Sequence, residues 1–338
     1  MIISTVGDIM LGENTHHFGR GIPSLFENRY PQLLDPGVLS VINATDLFFA
    51  NLECSLISTN ERSTASLSRA VYAAPESALS FFDAISPRII LNIANNHFGQ
   101  HGIEVAYMTV SLLEQRNIIC IGQDRFPKTM SVKEFNFVCW GSSLVNKSSL
   151  TGTCFETTPD TLVREMYWPK KHSNDFWIVS LHWGEEYRTL PEEWQRKLAR
   201  NLVDKGVDLV LGHHPHVIQP VEKFGESIVL FSQGNFVFDQ NFSCITQEGL
   251  LTSIYMDTAV YEAFLVKQRK YIVYLQNTTK HWLSTYCKKN SSTFASKKMR
   301  IAMKIELFIH VFNSNFETIR YFFRKAFDKI RGSNENMV

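Results

Sequence analysis

Val210-Leu211-Gly212-His213-His214-Pro215-His216 sets three histidines directly behind a short apolar run. That run, residues 207–211, is too short for a typical helix and is rich in Val and Leu, so it reads as a strand buried on both faces. The residues in front of it are patterned for a helix over 191–205. Pro191-Glu192-Glu193 offers proline at N1, and Gly206 follows as the C′ residue. A helix feeding a buried strand that ends in polar groups is the unit of an α/β sheet. One histidine at such a place is more often a satisfied cap or core group than a ligand. The cluster gains meaning from how often the pattern repeats.

Five other short apolar runs end the same way. Residues 2–6 run into Gly7-Asp8, 47–50 into Asn51-Leu52-Glu53, and 89–94 into Asn95-Asn96-His97. Residues 176–181 run into His182-Trp183-Gly184, and 228–231 into Ser232-Gln233-Gly234-Asn235. Further helices are expected over 75–84, with Pro75 at N1, and over the amphipathic stretch 103–115. Strands alternating with helices predict an α/β sheet with functional groups at the strand C-termini. No internal repeat is visible. The Ser/Thr-rich stretch 59–68 reads as a mobile surface loop near Glu53.

A chain of 338 residues, 44% hydrophobic and 20% charged, can bury a large core and is not a disordered polymer. Its net charge of +1 gives no sign of nucleic-acid binding, and none is expected. The charge is uneven. Residues 288–338 hold eleven Lys/Arg and four Asp/Glu, a net of +7, which leaves −6 for residues 1–287. Two units are therefore expected: a body over 1–285 and a basic extension over 286–338. In the extension, Ile301, Ile305, Phe308 and Phe312 recur at helical spacing, and Ser314-x-x-Glu317 fits a capping box. A second stripe, Ile319, Phe322, Phe323, Phe327 and Ile330, has Arg320, Arg324, Lys325 and Lys329 alongside. These read as two amphipathic helices that either pack on the body or dock on a membrane surface or a synthase complex. None of the six cysteines forms a C-x-x-C pair, and buried free thiols are expected. No basic n-region or long apolar segment opens the chain, so no signal peptide is expected. The expected location is cytoplasmic, peripheral to the inner face of the membrane.

Carboxylates mixed with imidazoles suit Zn²⁺, Mn²⁺ or Fe better than Ca²⁺ or Mg²⁺, which prefer oxygen shells. A bridging carboxylate can hold two such ions, and a pair of ions clamps a phosphoryl or acyl oxygen. The ordered set Gly7-Asp8-Ile9-Met10-Leu11-Gly12, Asn51-Leu52-Glu53, Ala94-Asn95-Asn96-His97, Ser180-Leu181-His182-Trp183-Gly184-Glu185-Glu186-Tyr187, Val210–His216 and Gly234-Asn235-Phe236-Val237-Phe238-Asp239 resembles the bacterial CapA family of capsule and poly-γ-glutamate synthesis proteins. That family is a branch of the calcineurin-like metallophosphoesterase superfamily, and the resemblance covers about residues 2–240. It implies a four-layer α/β/β/α sandwich with a two-metal centre at one sheet edge. Asp8 is then a ligand of the first metal and part of the catalytic machinery, and Glu53 takes the bridging position. Asn96 and His182 bind the second metal, and His214 and His216 serve one ion each. His97 becomes the general acid or transition-state donor.

Two departures qualify this carry-over. The superfamily's Asp-x-His is here Asp8-Ile9-Met10, and a thioether does not replace imidazole for such ions. The first site is therefore expected to be weak, or to recruit His16 or His17. Glu53 is one methylene longer than the usual Asp. The histidine register stays open: i and i+2 in an extended segment share a side, which favours His214 with His216, while His213 is the other candidate. Glu185 or Glu186 can orient His182. Asn235 and Asp239 read as rim or structural groups, and Trp183 as either a wall of the site or a core residue.

Three functions follow. One is a metal-dependent hydrolase of phosphoesters or amides in surface-polymer biosynthesis, acting on an anionic polymer, a phosphoester or a peptide. Another is a non-catalytic accessory protein of a polymer-synthesis complex. The last is a metal-dependent epimerase, since the same Lewis acid can acidify a carbon beside a carbonyl.

Overall fold

In the computed structural model, residues 1–14, 17, 19–58, 71–145, 153–256, 258, 260–276, 283 and 286 are described. Leu47-Phe48-Phe49-Ala50 shows how the layers arise. Leu47 and Phe49 face one core, and Phe48 and Ala50 face another, because successive side chains of a strand point to opposite faces. A strand apolar at every position must be covered on both sides, and this one is.

The first sheet holds eight strands among the described residues. Its parallel half is β1 (Ile2–Ile9), β2 (Leu47–Leu52), β5 (Arg88–Asn92) and β6 (Ile119–Ile121). A short strand β13 (Asn235–Val237) pairs parallel with the end of β1. The antiparallel strands β14 (Glu248–Tyr255), β15 (Val260–Arg269) and β16 (Ile272–Leu275) extend the other side. The second sheet runs β11 (Val221–Phe224), β12 (Ser227–Leu230), β10 (Leu209–His213), β9 (Asp175–His182), β8 (Phe135–Ser143), β7 (Lys128–Val132). Its inner four strands are parallel, and β11 and β7 are antiparallel edges. A small parallel pair, β3 (Ser55–Ile57) and β4 (Ala73–Pro75), lies apart.

Three apolar cores fix the layering. Ile3, Phe49 and Ile90 of the first sheet meet Phe137, Ile178, Leu211 and Leu230 of the second, so the sheets pack face to face. The outer face of the first sheet gives Phe48, Leu52 and Leu91 to a core that includes Val38 and Ile42 of helix α2 (Pro36–Asn43). Val110 and Leu113 of helix α3 (Ile103–Glu114) belong to the same core. The outer face of the second sheet gives Trp140, Val179 and Val210 to a core with Leu198 and Leu202 of helix α5 (Glu193–Asp204). Shorter helices among the described residues are α1 (Ile22–Phe26) and α4 (Leu162–Glu165). The order is α/β/β/α, as the family resemblance implies.

Details differ from the sequence reading. Pro191 precedes α5, whose N-cap is extended Glu192 (ψ 160°) in a reciprocal capping box with Gln195. Gly206 does take the left-handed φ of 98° after its end. Residues 76–84 wind as a 3₁₀-helix with Pro75 at the N-cap. Cys54, Cys120, Cys139 and Cys154 are buried free thiols, but Cys244 is exposed. The stretch 59–68, His16, and the proposed extension from 287 onward lie outside the described residues. Among the described residues no helix is long and apolar enough to cross a membrane.

Candidate metal centre

The site forms where the C-terminal ends of β1, β2 and β5 meet those of β9 and β10. Asp8 of β1 stands beside Asn51 of β2 in parallel register. Glu53 lies two residues beyond Asn51, and its N–H donates to the Ile9 carbonyl at 2.8 Å. Asn95, Asn96 and His97 form the turn after β5. From the second sheet, His182 ends β9 and pairs in register with His213, the last residue of β10. Two glycines let backbones approach. A Cβ on Gly7 would meet the Gly234 carbonyl oxygen at 1.9 Å, and one on Gly212 would meet that of Phe231 at 2.0 Å.

Beyond His213 the chain is not extended. His214 and His216 take positive φ values of 94° and 56° on either side of Pro215. Such backbone is uncommon for residues other than glycine and clusters at functional sites. Two backbone hydrogen bonds hold this loop to the one after β9: Trp183 N–H donates to His213 O at 3.1 Å, and Tyr187 N–H to Pro215 O at 2.8 Å. The expectation that only alternate histidines share a side is corrected here, because the turned backbone brings all three to the centre. His213 Nδ1 lies 3.2 Å from Asp8 Oδ1, and His216 Nδ1 lies 3.4 Å from Asp8 Oδ2. The His214 N–H donates to Asp8 Oδ2 at 3.2 Å.

Asn51 is the hub of the first-sheet side. Its amide nitrogen donates to Asp8 Oδ1 at 2.9 Å and lies 3.4 Å from His182 Nδ1. Its carbonyl accepts from Asn95 Nδ2 at 3.2 Å. Asn96 Oδ1 and His182 Nε2 are 2.7 Å apart. His216 Nδ1 is 2.9 Å from Asn235 Oδ1, which leaves His216 Nε2 turned toward Glu53. His97 stacks on Tyr72 at 3.7 Å, with Nδ1 3.1 Å from Gln100 Oε1.

Burial and charge set the protonation states. Burial works to raise the Asp8 carboxyl, but the His213 and His216 imidazoles outweigh it and hold Asp8 well below the usual carboxylate range. Burial pushes Glu53 well above that range, against the pull of His216. Burial, with His214 second, holds His182 well below an ordinary imidazole, in the neutral form a ligand requires. Burial would lower His216 too, yet Glu53 and Asp8 raise it to about 9.

The donor set fits a divalent cation. Glu53 Oε1 is buried and accepts no hydrogen bond among the described residues. The Nε2 atoms of His216, His182 and His97 stand 3.7, 3.8 and 3.8 Å from it. Two ligands each about 2.1 Å from one tetrahedral ion stand roughly 3.4 Å apart. Burial alone favours the protonated form of Glu53, and a cation at Oε1 would favour the carboxylate instead. Glu53–His182–His214, Asp8–Glu53–His216 and Glu186–His214–His216 each offer ligand atoms within 4.8 Å of one another.

The structure thus gathers Asp8, Glu53, Asn96, His97, His182, His214 and His216 at one place. Met10 packs in the outer core of the first sheet. His17 is beside Asn14 and Asp239 and belongs to none of the three triads. Glu185 pairs with Arg188 at 3.6 Å, and Glu186 faces His214 and His216, so His182 is steadied by Asn51. Asn235 is buried under His216, not at a rim. Asp239 is buried and structural: its carboxylate accepts from Asn14 N–H at 2.7 Å. Trp183 is a core residue stacked on Phe231. Asn51 was missed as a functional group, whereas His213 was already the other candidate in the histidine register. For Asn51 the available signal was its i, i+2 spacing with Glu53, just past the end of β2.

Packed sheets that present carboxylates and amides from one side and imidazoles from the other define an α/β sandwich with a candidate metal centre at its edge. Within that class, the chain belongs to the bacterial capsule synthesis protein family PGA_cap, which matches residues 2–240. It is 29% identical over 255 residues to the "PGA biosynthesis protein CapA" of Bacillus subtilis (strain 168), covering 71% of this chain and 64% of that one. It is 31% identical over 168 residues to the "Capsule biosynthesis protein CapA" of Bacillus anthracis, covering 46% and 41%. The chain therefore spans less than two-thirds of the length of these relatives. A "Probable polyglutamine synthesis accessory protein" of Mycobacterium tuberculosis is 33% identical over 69 residues, 20% of this chain and 18% of that one. Among solved structures, a 5'-nucleotidase from Candida albicans SC5314 aligns with a TM-score of 0.49 at 13% identity, covering 90% of this chain and 57% of that one. Likeness at that level does not bear on activity.

Proposed function

We propose that this protein is a metal-dependent hydrolase of a phosphoester or amide, working in capsule or polyglutamate biosynthesis. One observation carries the reading: the buried, donorless Glu53 Oε1 ringed by three imidazole Nε2 atoms at 3.7–3.8 Å. Mn²⁺, Zn²⁺ or Fe suits this donor mixture, and two ions fit the overlapping triads. Bound ions supply Lewis acidity that polarises a phosphoryl or carbonyl oxygen and lowers the pKa of water.

The chain's own residues do the rest. Asp8, Glu53, Asn96, His182, His214 and His216 hold the ions, with Asp8 and Glu53 supplying the negative charge. Asn51 and Asn235 fix the orientation of His182 and His216. His97 is the general acid. Gln100 Oε1 accepts from its Nδ1–H, and Nε2, on the pocket side, accepts from the Asn96 amide at 3.1 Å in this structure; Nε2 is the atom that would take up a proton and pass it to a leaving group. Tyr72, stacked on its ring, keeps that nitrogen aimed.

The full chain, loaded with Mn²⁺ or Zn²⁺, should turn over an aryl phosphodiester or a γ-glutamyl peptide. Absence of turnover on both, with metal confirmed bound, removes the proposal. A second reading is an accessory role in polymer assembly, favoured by the burial of Met10 where the superfamily has a ligand. Two tightly bound ions favour catalysis, and one weak ion or none favours the accessory role. Deuterium uptake from solvent without hydrolysis would instead mark an epimerase. The basic residues 286–338 dock on an anionic membrane or a synthase at its inner face. Removing them should leave metal binding unchanged and reduce sedimentation with anionic vesicles.

A further inference from the structure

We propose that Glu186 is a cation ligand at the mouth of this centre, acting together with His214 and His216. The inference rests on the metal-centre reading above and adds to it a residue from outside the ligand set implied by sequence.

The placement is built into the fold. β9 and β10 are adjacent and parallel, and the loops that leave them are tied by the Trp183–His213 and Tyr187–Pro215 backbone bonds. Gly184 (φ 84°) and Tyr187 (φ 64°) turn the first loop back over the second. A Cβ on Gly184 would sit 2.8 Å from Gln195 Nε2, so the turn is packed tightly against the start of α5. Gln195 is itself fixed, because its side chain accepts from the Glu192 N–H at 2.8 Å. The carboxylate between the two turning residues is thereby delivered to the histidines. A Glu186 oxygen and a ring nitrogen from each of His214 and His216 lie within 4.8 Å of one another. Its neighbour Glu185 points elsewhere, to Arg188.

Charge balance gives the carboxylate its purpose. The inner acids are Asp8 and Glu53, and four imidazoles surround them. A neutral imidazole offers one lone pair to one ion, so triads that share His214 and His216 cannot be filled independently. Glu186 therefore adds a third negative group to ions held by the inner donors. Position 10, where the superfamily contributes a ligand, is closed off in the apolar core, so Met10 adds no donor. Glu186 supplies a donor from the opposite side, off the other sheet. It is half-buried at the opening, so it can also withdraw when a substrate oxygen takes its place.

The test is titration calorimetry of Mn²⁺ into the demetallated full chain, with Glu186→Gln, Glu185→Gln and Asp8→Ala alongside and thermal melts to confirm folding. Glu186→Gln should bind Mn²⁺ about tenfold or more weakly, with Glu185→Gln unchanged and Glu186→Asp between them. If Glu186→Gln binds as wild type while Asp8→Ala loses Mn²⁺, Glu186 is no ligand and the centre stands. If wild type itself takes up no Mn²⁺, Zn²⁺ or Fe²⁺, the metal-centre reading falls and Glu186 falls with it. An equal weakening in Glu185→Gln would mean a general loss of negative potential at the mouth, and it too overturns the assignment.

Discussion

The two sheets bring different chemistry to the shared edge. The first contributes acids and amides: Asp8, Asn51, Glu53, Asn95 and Asn96, with His97 at the rim. The second contributes imidazoles: His182, His213, His214 and His216. Among the inner donors, charge comes from one side and most of the neutral lone pairs from the other, with Glu186 at the mouth as the carboxylate of the second side. The two inner triads, Glu53–His182–His214 and Asp8–Glu53–His216, each draw donors from both sheets, which gives the mixed set that a Zn- or Mn-type ion prefers. The centre exists only because the inter-sheet core around Phe49, Ile178 and Leu211 holds the two faces together.

The sharpest way to break this contrast is to remove one donor from each side. Asp8→Ala should lower metal uptake by more than about a hundredfold, and His214→Ala by less, because a carboxylate gives charge as well as a lone pair. Elemental analysis of the desalted proteins reads the difference, and equal losses would show that the division carries no energetic weight.

The acid side should also carry the pH sensitivity. Burial raises Asp239, next to the end of β13, to about 7, against the opposing effect of His17. An acid raised above its unfolded value takes up a proton on folding. Its contribution is complete below about pH 4 and is lost as pH rises toward 7, roughly 4 kcal/mol at most. Asp239→Asn should remove that slope, as urea unfolding between pH 4 and 8 would show. If wild type and variant run parallel, the burden is not at Asp239.

Chelation tests whether the ions fasten the sheets to one another. With free metal at a hundred times its dissociation constant, binding to the folded state alone stabilises by about 2.7 kcal/mol. Removing metal with a chelator should therefore lower the melting temperature of wild type but not of Asp8→Ala. The smallest effect is expected from Asn51→Ala, which leaves the outer donors in place but frees Asp8 and His182 to turn. Metal affinity should fall about ten- to a hundredfold, measured by competition with a chromogenic chelator.

How much of this was legible in sequence followed the same division. Strands covered on both faces announce themselves as apolar runs, so β1, β2, β5, β9, β10 and β12 could be read directly. The antiparallel margin could not. β14 buries Thr252 and Ser253 inside the sheet, and β15 alternates half-covered residues with Lys267 and Arg269, so neither forms a continuous apolar run. In the site, residue types at strand ends were visible but their directions were not. Whether His213 or His214 faces Asp8 depends on φ values that only the packed loop fixes. Asn51 was hidden for a different reason: its spacing from Glu53 hints at a shared edge, but the three neighbours the amide acts through are invisible in the chain.

The two backbone bonds between the loops after β9 and β10 bear on how this protein can change over time. They use N–H and C=O groups alone, so no side-chain replacement at Glu185 or Arg188 removes them. The histidines ride on a frame indifferent to its decoration. Mutation can therefore redraw the rim while the ligands stay in register.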